Sequence, residues 1–161
     1  MLVLVRSAGK NASHMGSVNI FTVEIPEGRL DVASAVGSGA YAMFLYELPD
    51  GESSCPYHYE YEEEWLLVLE GSVVLRTPDG ESTLAHGDLV CFQPGPAGAH
   101  KLTNRSGSSA RMMMFSGSRL PAVSVYPDSD KIGVWSSEDA DSLVFERGTA
   151  VPWAQGEEGF E

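Results

Sequence analysis

The sequence predicts an all-β domain, a sandwich or barrel of short strands, on three observations. Runs of β-branched, aliphatic and aromatic residues recur along the chain, each about four to ten residues long. The segments between them, such as LPDGESS, TPDGES, PGPAG and NRSGSS, are rich in Gly, Pro, Asp, Asn and Ser, the residues that turns require. No long stretch carries the periodicity of an amphipathic helix.

Taken in order, the first predicted strand is VNIFTVEI, from Val18 to Ile25. GAYAMFLYEL follows from Gly39 to Leu48, and EWLLVLEG from Glu64 to Gly71. SVVLRT starts directly after that glycine, and Pro78-Asp79-Gly80 then reads as a hairpin turn into ESTLA. DLVCFQP follows His86-Gly87, and HKLTN begins at His100. In ARMMMFS, period-2 alternation puts Met112 and Met114 on a core face and Met113 on the opposite one, a possible interface. AVSVYP and, last, SLVFERG up to Gly148 complete the set. SSEDADS, around Glu138, is expected to form one helical turn from a Ser cap. Residues 1–16 read as a flexible extension in which MLVLVR offers an edge strand, 17–126 as the barrel with its motifs in 51–116, and 127–161 as a C-terminal arm with a frayed acidic end.

The length of 161 residues suits one domain. A formal net charge of −13 opposes binding to phosphate backbones and to anionic membranes, so neither nucleic acid nor membrane is expected as a partner. No apolar run approaches the roughly 20 residues of a membrane helix, and MLVLVR falls short of the about 7 to 15 apolar residues of a signal core, so a cytoplasmic protein is expected. There, Cys55 and Cys91 are expected as free, partly buried thiols. His86 reads as an exposed turn residue and His14 as part of the flexible leader. There is no Ser-His-Asp arrangement, phosphate loop or CxxC to defend.

The chemistry concentrates in PYHYEYEEEWLLVLEG, from Pro56 to Gly71. In an extended segment His58, Glu60, Glu62 and Glu64 share a face with Leu66 and Val68. That parity would bury carboxylates against an aliphatic core unless a cation pairs with them. The alternative is that Glu60, Glu62 and Glu63 lie in a solvated loop and burial starts at Trp65. Farther along, HGDLVCFQPGPAGAHKLTN places His100 at the start of a strand, after a bend forced by GPAG.

Together the two stretches resemble the paired motifs of the cupin superfamily. Gly51 is followed by six residues, His58-x-Glu60, three residues, Glu64, six residues and Gly71. Gly87 is followed by six residues, Pro94, GPAGA, His100, three residues and Asn104. The Glu64-to-Gly71 and His100-to-Asn104 spacings match the family pattern, and three other spacings differ by one residue. The likeness spans about Pro49 to Ser116. PYHYEYEEEWLLVLEG, LRTPDGESTLAHGDLVCFQPGPAGAH, YPDSDKIGVW and VFERGTAVPW are similar to stretches of small single-domain bacterial cupins of unassigned activity.

The resemblance implies a double-stranded β-helix, a jelly-roll barrel around one divalent metal ion. His58, Glu64 and His100 fall on ligand positions, and Glu60 replaces the family's second histidine. Glu60 is expected either as a fourth ligand or as the catalytic acid/base. Two imidazoles with two carboxylates suit Mn, Fe, Ni or Zn. The functions implied are a mononuclear metalloenzyme of oxygenase, decarboxylase or isomerase type acting on a small molecule, or a non-catalytic module that binds a sugar or organic acid. Tyr57, Tyr59 and Tyr61 point away from His58 and are expected outside the pocket. Because EWLLVLEG and SVVL are apolar on both faces, the outer face needs cover, and a homodimer is expected to provide it.

Overall fold

The computed structural model describes residues 16–159. Twelve strands lie in three antiparallel sheets among them. The five-stranded sheet runs β1(Arg29–Asp31), β2(Tyr41–Leu48), β9(Ala110–Gly117), β4(Glu64–Glu70), β7(Leu89–Phe92). The three-stranded sheet runs β6(Gly80–Ala85), β5(Ser72–Thr77), β8(Lys101–Thr103). The four-stranded sheet runs β12(Leu143–Glu146), β11(Lys131–Trp135), β10(Ala122–Tyr126), β3(Tyr59–Glu60). This is the double-stranded β-helix expected from the sequence.

Alternation explains the packing. Leu66 and Val68 of β4, Met112 and Met114 of β9, Val73 and Leu75 of β5, Phe92 and Leu102 fill the barrel interior. Residues of opposite parity, Leu67, Leu69 and Met113, face outward. At about 25 cal/mol per Å² of apolar surface, closing this interior is the main stabilising term. Gly71 allows β4 to turn into β5 without a loop: its φ is +74°, and a Cβ there would lie 3.1 Å from the Ser109 carbonyl oxygen. The β5–β6 hairpin closes over Pro78 and Asp79 with Thr77 paired to Gly80, as expected.

Two expectations are corrected. Val18–Ile25 is not a strand but a sequence of turns. Asn19 captures this backbone locally: its carbonyl accepts from Thr22 and Val23 at 3.2 and 3.0 Å, and its side chain accepts from the Phe21 amide at 3.0 Å. Arg111 fixes the same turn by donating to the Phe21 carbonyl at 2.8 Å. Val18, Ile20, Val23 and Ile25 therefore pack as a lid on the outer face of the five-stranded sheet, beside Leu45 and Leu69. A short helix, α1(Val32–Val36), was not expected. Asp31 caps it, accepting from the Ser34 amide at 3.0 Å, and Gly37 ends it with a φ of +80°. Its Val32 joins the same outer cluster, so the chain itself covers Leu67, Leu69 and Met113.

Strands β1, β3 and β11 are too short or too polar to stand out in the sequence. The turn near Glu138 forms as a single 3₁₀ turn, and Ser136 Oγ accepts from the Glu138 amide at 3.2 Å. MLVLVR and His14 lie outside the described residues. No helix among the described residues is long and apolar enough to cross a membrane.

Candidate metal centre

The site is built on backbone before side chains. His58 and His100 face each other in an isolated antiparallel bridge; the His58 amide donates to the His100 carbonyl at 3.1 Å and the His100 amide returns the bond at 2.8 Å. The bridge brings both imidazoles to one place, with ring centroids 4.7 Å apart. Gly98 sets up the second of them. The chain doubles back so tightly that a Cβ on Gly98 would overlap the Gln93 carbonyl oxygen. That fold aims the Gly98 carbonyl at His100 Nδ1, 2.9 Å away. Pro56 does the same for His58, its carbonyl 3.0 Å from Nδ1.

A carbonyl oxygen can only accept, so in the neutral rings each Nδ1 carries the proton and each Nε2 keeps a lone pair. Both lone pairs are thereby available to a metal. His100 is fully buried, stacked on Phe92 with centroids 3.7 Å apart, and its Nε2 has no hydrogen-bond partner. His58 stacks on Tyr126 on its other side.

Glu64 enters from the first residue of β4, with an oxygen 3.7 Å from His100 Nε2. One ligand atom from each of His58, Glu64 and His100 lies within 4.8 Å of the others, so the three could hold one ion. Burial pushes the Glu64 carboxyl up to about 8, with the Glu60 charge adding to it. Burial likewise lowers the His100 imidazole to about 4, and His58 adds to the fall. Near neutral pH without metal, Glu64 and His100 therefore meet as two neutral groups, not as an ion pair. A buried acceptor nitrogen without a donor and a carboxyl kept from ionising are both relieved by a divalent cation. The residues fit the ion.

Glu60 stands at the edge of this cluster, one oxygen 4.0 Å from His58 Nε2. That Oε1 accepts from Ser124 Oγ at 2.6 Å, and Ser124 Oγ accepts from Trp135 Nε1 at 2.8 Å. Ser124 is buried on β10, and Trp135 comes from β11. The sequence reading missed this relay. The signal available was one hydroxyl in the otherwise apolar centre of AVSVY. The shared parity of His58 through Glu64 does not persist along the chain, because residues 61–63 bend between β3 and β4. Glu63 is exposed and accepts from Trp65 Nε1 at 2.8 Å, and Glu62 is half-buried beside Gly117.

Cys55 was also missed as a neighbour of the site: its sulfur lies 3.5 Å from His58 Nδ1, and burial raises its pKa. It packs the site as a protonated thiol. Both cysteines are free, as expected. Of the tyrosines, Tyr57 is buried under the Arg76 guanidinium, and Tyr59 meets Tyr61 edge-on. Asn104 is fully buried and serves as a latch, donating to the Leu48 and Ser108 carbonyls, each at 2.7 Å, and accepting from the Ser106 amide at 3.0 Å. His58, Glu60 and Glu64 open onto a cavity of about 380 Å³ whose walls include Phe44, Tyr46, Met114 and Ser116.

A β-helix with two bridged histidines and a glutamate at its mouth defines a cupin-type domain. Residues 44–116 match the Cupin domain family model, so this part of the chain is a small cupin-type domain. Solved structures agree on the fold. The sugar phosphate isomerase from a cupin superfamily of Silicibacter pomeroyi is 23% identical, with a TM-score of 0.70 over 88% of this chain and 91% of that one. A candidate sugar phosphate isomerase of Acidithiobacillus ferrooxidans is 24% identical, with a TM-score of 0.68 over 77% and 78%. The polyketide cyclase RemF of Streptomyces resistomycificus is 20% identical, with a TM-score of 0.55 over 68% and 84%. No curated protein sequence matches the chain.

Proposed function

We propose that this cupin is a mononuclear metalloenzyme that moves a proton on a small molecule, with His58, Glu64 and His100 as metal ligands and Glu60 as acid/base. The observation that carries the reading is the fully buried, partnerless Nε2 of His100, directed at a carboxyl that burial keeps protonated. Two imidazole nitrogens with carboxylate oxygen suit Mn, Fe, Ni or Zn. When bound, such an ion supplies Lewis acidity to a substrate oxygen.

The chain's own residues do the rest. Ser124 holds Glu60 Oε1, which leaves Oε2 to take a proton from a substrate carbon and return it to the neighbouring carbonyl carbon, while the hydroxyl proton of the first carbon passes to the carbonyl oxygen. Phe44, Tyr46 and Met114 line the pocket and limit water around the reacting atoms. Of the three reaction types open to this scaffold, isomerisation draws most directly on such a base. The names carried by the Silicibacter and Acidithiobacillus proteins point the same way. The second reading is a binding module in which the same cavity holds a small molecule without turnover.

The test is solvent exchange. Protein loaded separately with Mn, Fe, Ni and Zn is incubated in D₂O with small aldoses, ketoses and their phosphates, and carbon-bound deuterium is followed by NMR. Deuterium beside the carbonyl, reduced at least 100-fold in Glu60→Gln at unchanged metal content, is expected. Stabilisation by one of these compounds without exchange under any metal would put the binding module first. Two further parts of the reading are a cytoplasmic location and a homodimer. Leu143, Val144 and Phe145 on the edge strand β12 are about half exposed, which supports the dimer; sedimentation tests it.

A further inference from the structure

The charge on this chain is strongly negative, yet two arginines at the cavity have no carboxylate partner among the described residues. Six arginines lie among the described residues. Four are paired: Arg76 with Asp128 at 2.6 Å, Arg105 with Glu81 at 2.9 Å, Arg111 with Glu47 at 3.1 Å, and Arg147 with Asp130 at 3.9 Å. The two others, Arg29 and Arg119, form no such pair among the described residues, and both line the cavity that opens onto His58, Glu60 and Glu64. The chain has 23 acidic residues against 10 basic ones, and although Glu60 and Glu62 line a second cavity with Arg119, neither forms an ion pair with it.

Arg29 is also preorganised. Its guanidinium lies 4.0 Å from the centroid of the Phe44 ring and 6.0 Å from that of Tyr46. β1 pairs Arg29 with Tyr46 across the ladder, which fixes the guanidinium over this wall of the cavity. A guanidinium on an aromatic surface keeps its N–H donors in its own plane; one is turned to the Tyr46 hydroxyl, and the others remain for an anionic acceptor. Arg119 comes from the segment after β9, with Ser116 and Ser118 adding hydroxyls to the same lining. The cavity's own carboxylates are engaged elsewhere: Glu60 with Ser124, and Glu64 beside His100.

We propose that Arg29 and Arg119 form an anion-binding subsite, and that the small molecule taken by this cavity carries a phosphate or carboxylate group at the end away from the imidazoles. A cavity of about 380 Å³ is near the lower end of the range for small-molecule sites and suits a ligand of sugar-phosphate or sugar-acid size. The anionic group would hold the molecule by one end and orient the other toward Glu60. The inference rests on the reading of this cavity as a small-molecule site and deepens it by naming the ligand's charge.

Calorimetric titration of the full chain tests it, with glucose 6-phosphate, gluconate, inorganic phosphate and glucose as probes. Each is run on protein with a measured metal content and again with chelator present. Glucose 6-phosphate or gluconate, whichever source of the anion fits, is expected to bind at least tenfold more tightly than glucose. Arg29→Gln and Arg119→Gln are each expected to weaken that binding at least tenfold, and Arg105→Gln, an exposed arginine outside the cavity, less than twofold. Anions that bind no better than glucose, or that are unaffected by Arg29→Gln and Arg119→Gln, would overturn the subsite. Equal weakening by Arg105→Gln would overturn it too, because general attraction would then suffice. Anion binding that persists in metal-free protein supports the subsite independently of the metal, so failure of the metalloenzyme reading is separately visible.

Discussion

At the residue scale, the site's chemistry follows from which atoms are left without partners. Two backbone carbonyls set the histidine tautomers, and burial keeps Glu64 neutral without metal. The consequence for stability has a definite sign. Between pH 6.5 and 8 the folded, metal-free protein holds a proton on Glu64 that the unfolded chain, titrating near 4.5, has lost. Stability therefore falls as pH rises through this window, by up to about 1.4 kcal/mol per pH unit. Below 6.5, His100 acts in the opposite direction, because the folded state excludes a proton that the unfolded chain binds. Urea denaturation of chelator-treated protein at pH 6.5 and 8 should show the fall, and saturating Zn or Glu64→Gln should remove it; Glu60, His58, His100, Cys55 and Tyr46 are titratable groups around it. Asn104 provides a second residue-scale prediction. Asn104→Ala leaves two carbonyls and an amide without their partner and should cost about 2–4 kcal/mol in the same denaturation experiment. His58, Glu64 and His100 were legible as a group through motif spacing alone; strand parity did not place them, because the chain bends at 61–63. Arg29, Arg119, Ser124 and Cys55 were not, because contacts between distant strands leave no periodic trace.

At the element scale, the C-terminal arm is coupled to the site. β11 and β12 extend the sheet that contains β3 and β10, and Trp135 on β11 steadies Ser124 and through it Glu60. Arg76 on β5 ties the arm down by a bidentate pair with Asp128. Trp135→Phe removes one donor while keeping most of the apolar bulk. It should lower turnover about tenfold. KM should stay unchanged and metal content should be retained, as steady-state kinetics and elemental analysis would show. A loss of KM alone would assign Trp135 to binding instead. The longer strands were readable as apolar runs bounded by turn residues; burial alternates along β5 and β9, though not along β2. Val18–Ile25 misled for a local reason: its apolar residues do face a core, but Asn19 bonds the backbone into turns before a ladder can form.

At the scale of the whole molecule, a strongly acidic chain closes a barrel, covers one outer face with its own residues 18–36, and keeps at one cavity two arginines that have no carboxylate partner among the described residues. Barrel and mouth together make one account: a buried donor set that could hold a cation, a supported carboxylate beside it, and two arginines in the wall of the same cavity. The central claim is the cation, and elemental analysis of tag-free protein purified without chelator tests it most directly. The account predicts near-stoichiometric Mn, Fe, Ni or Zn, lost in His58→Ala and His100→Ala and retained in Glu60→Ala. Metal-free wild-type protein that also takes up none of these ions when they are added would contradict it.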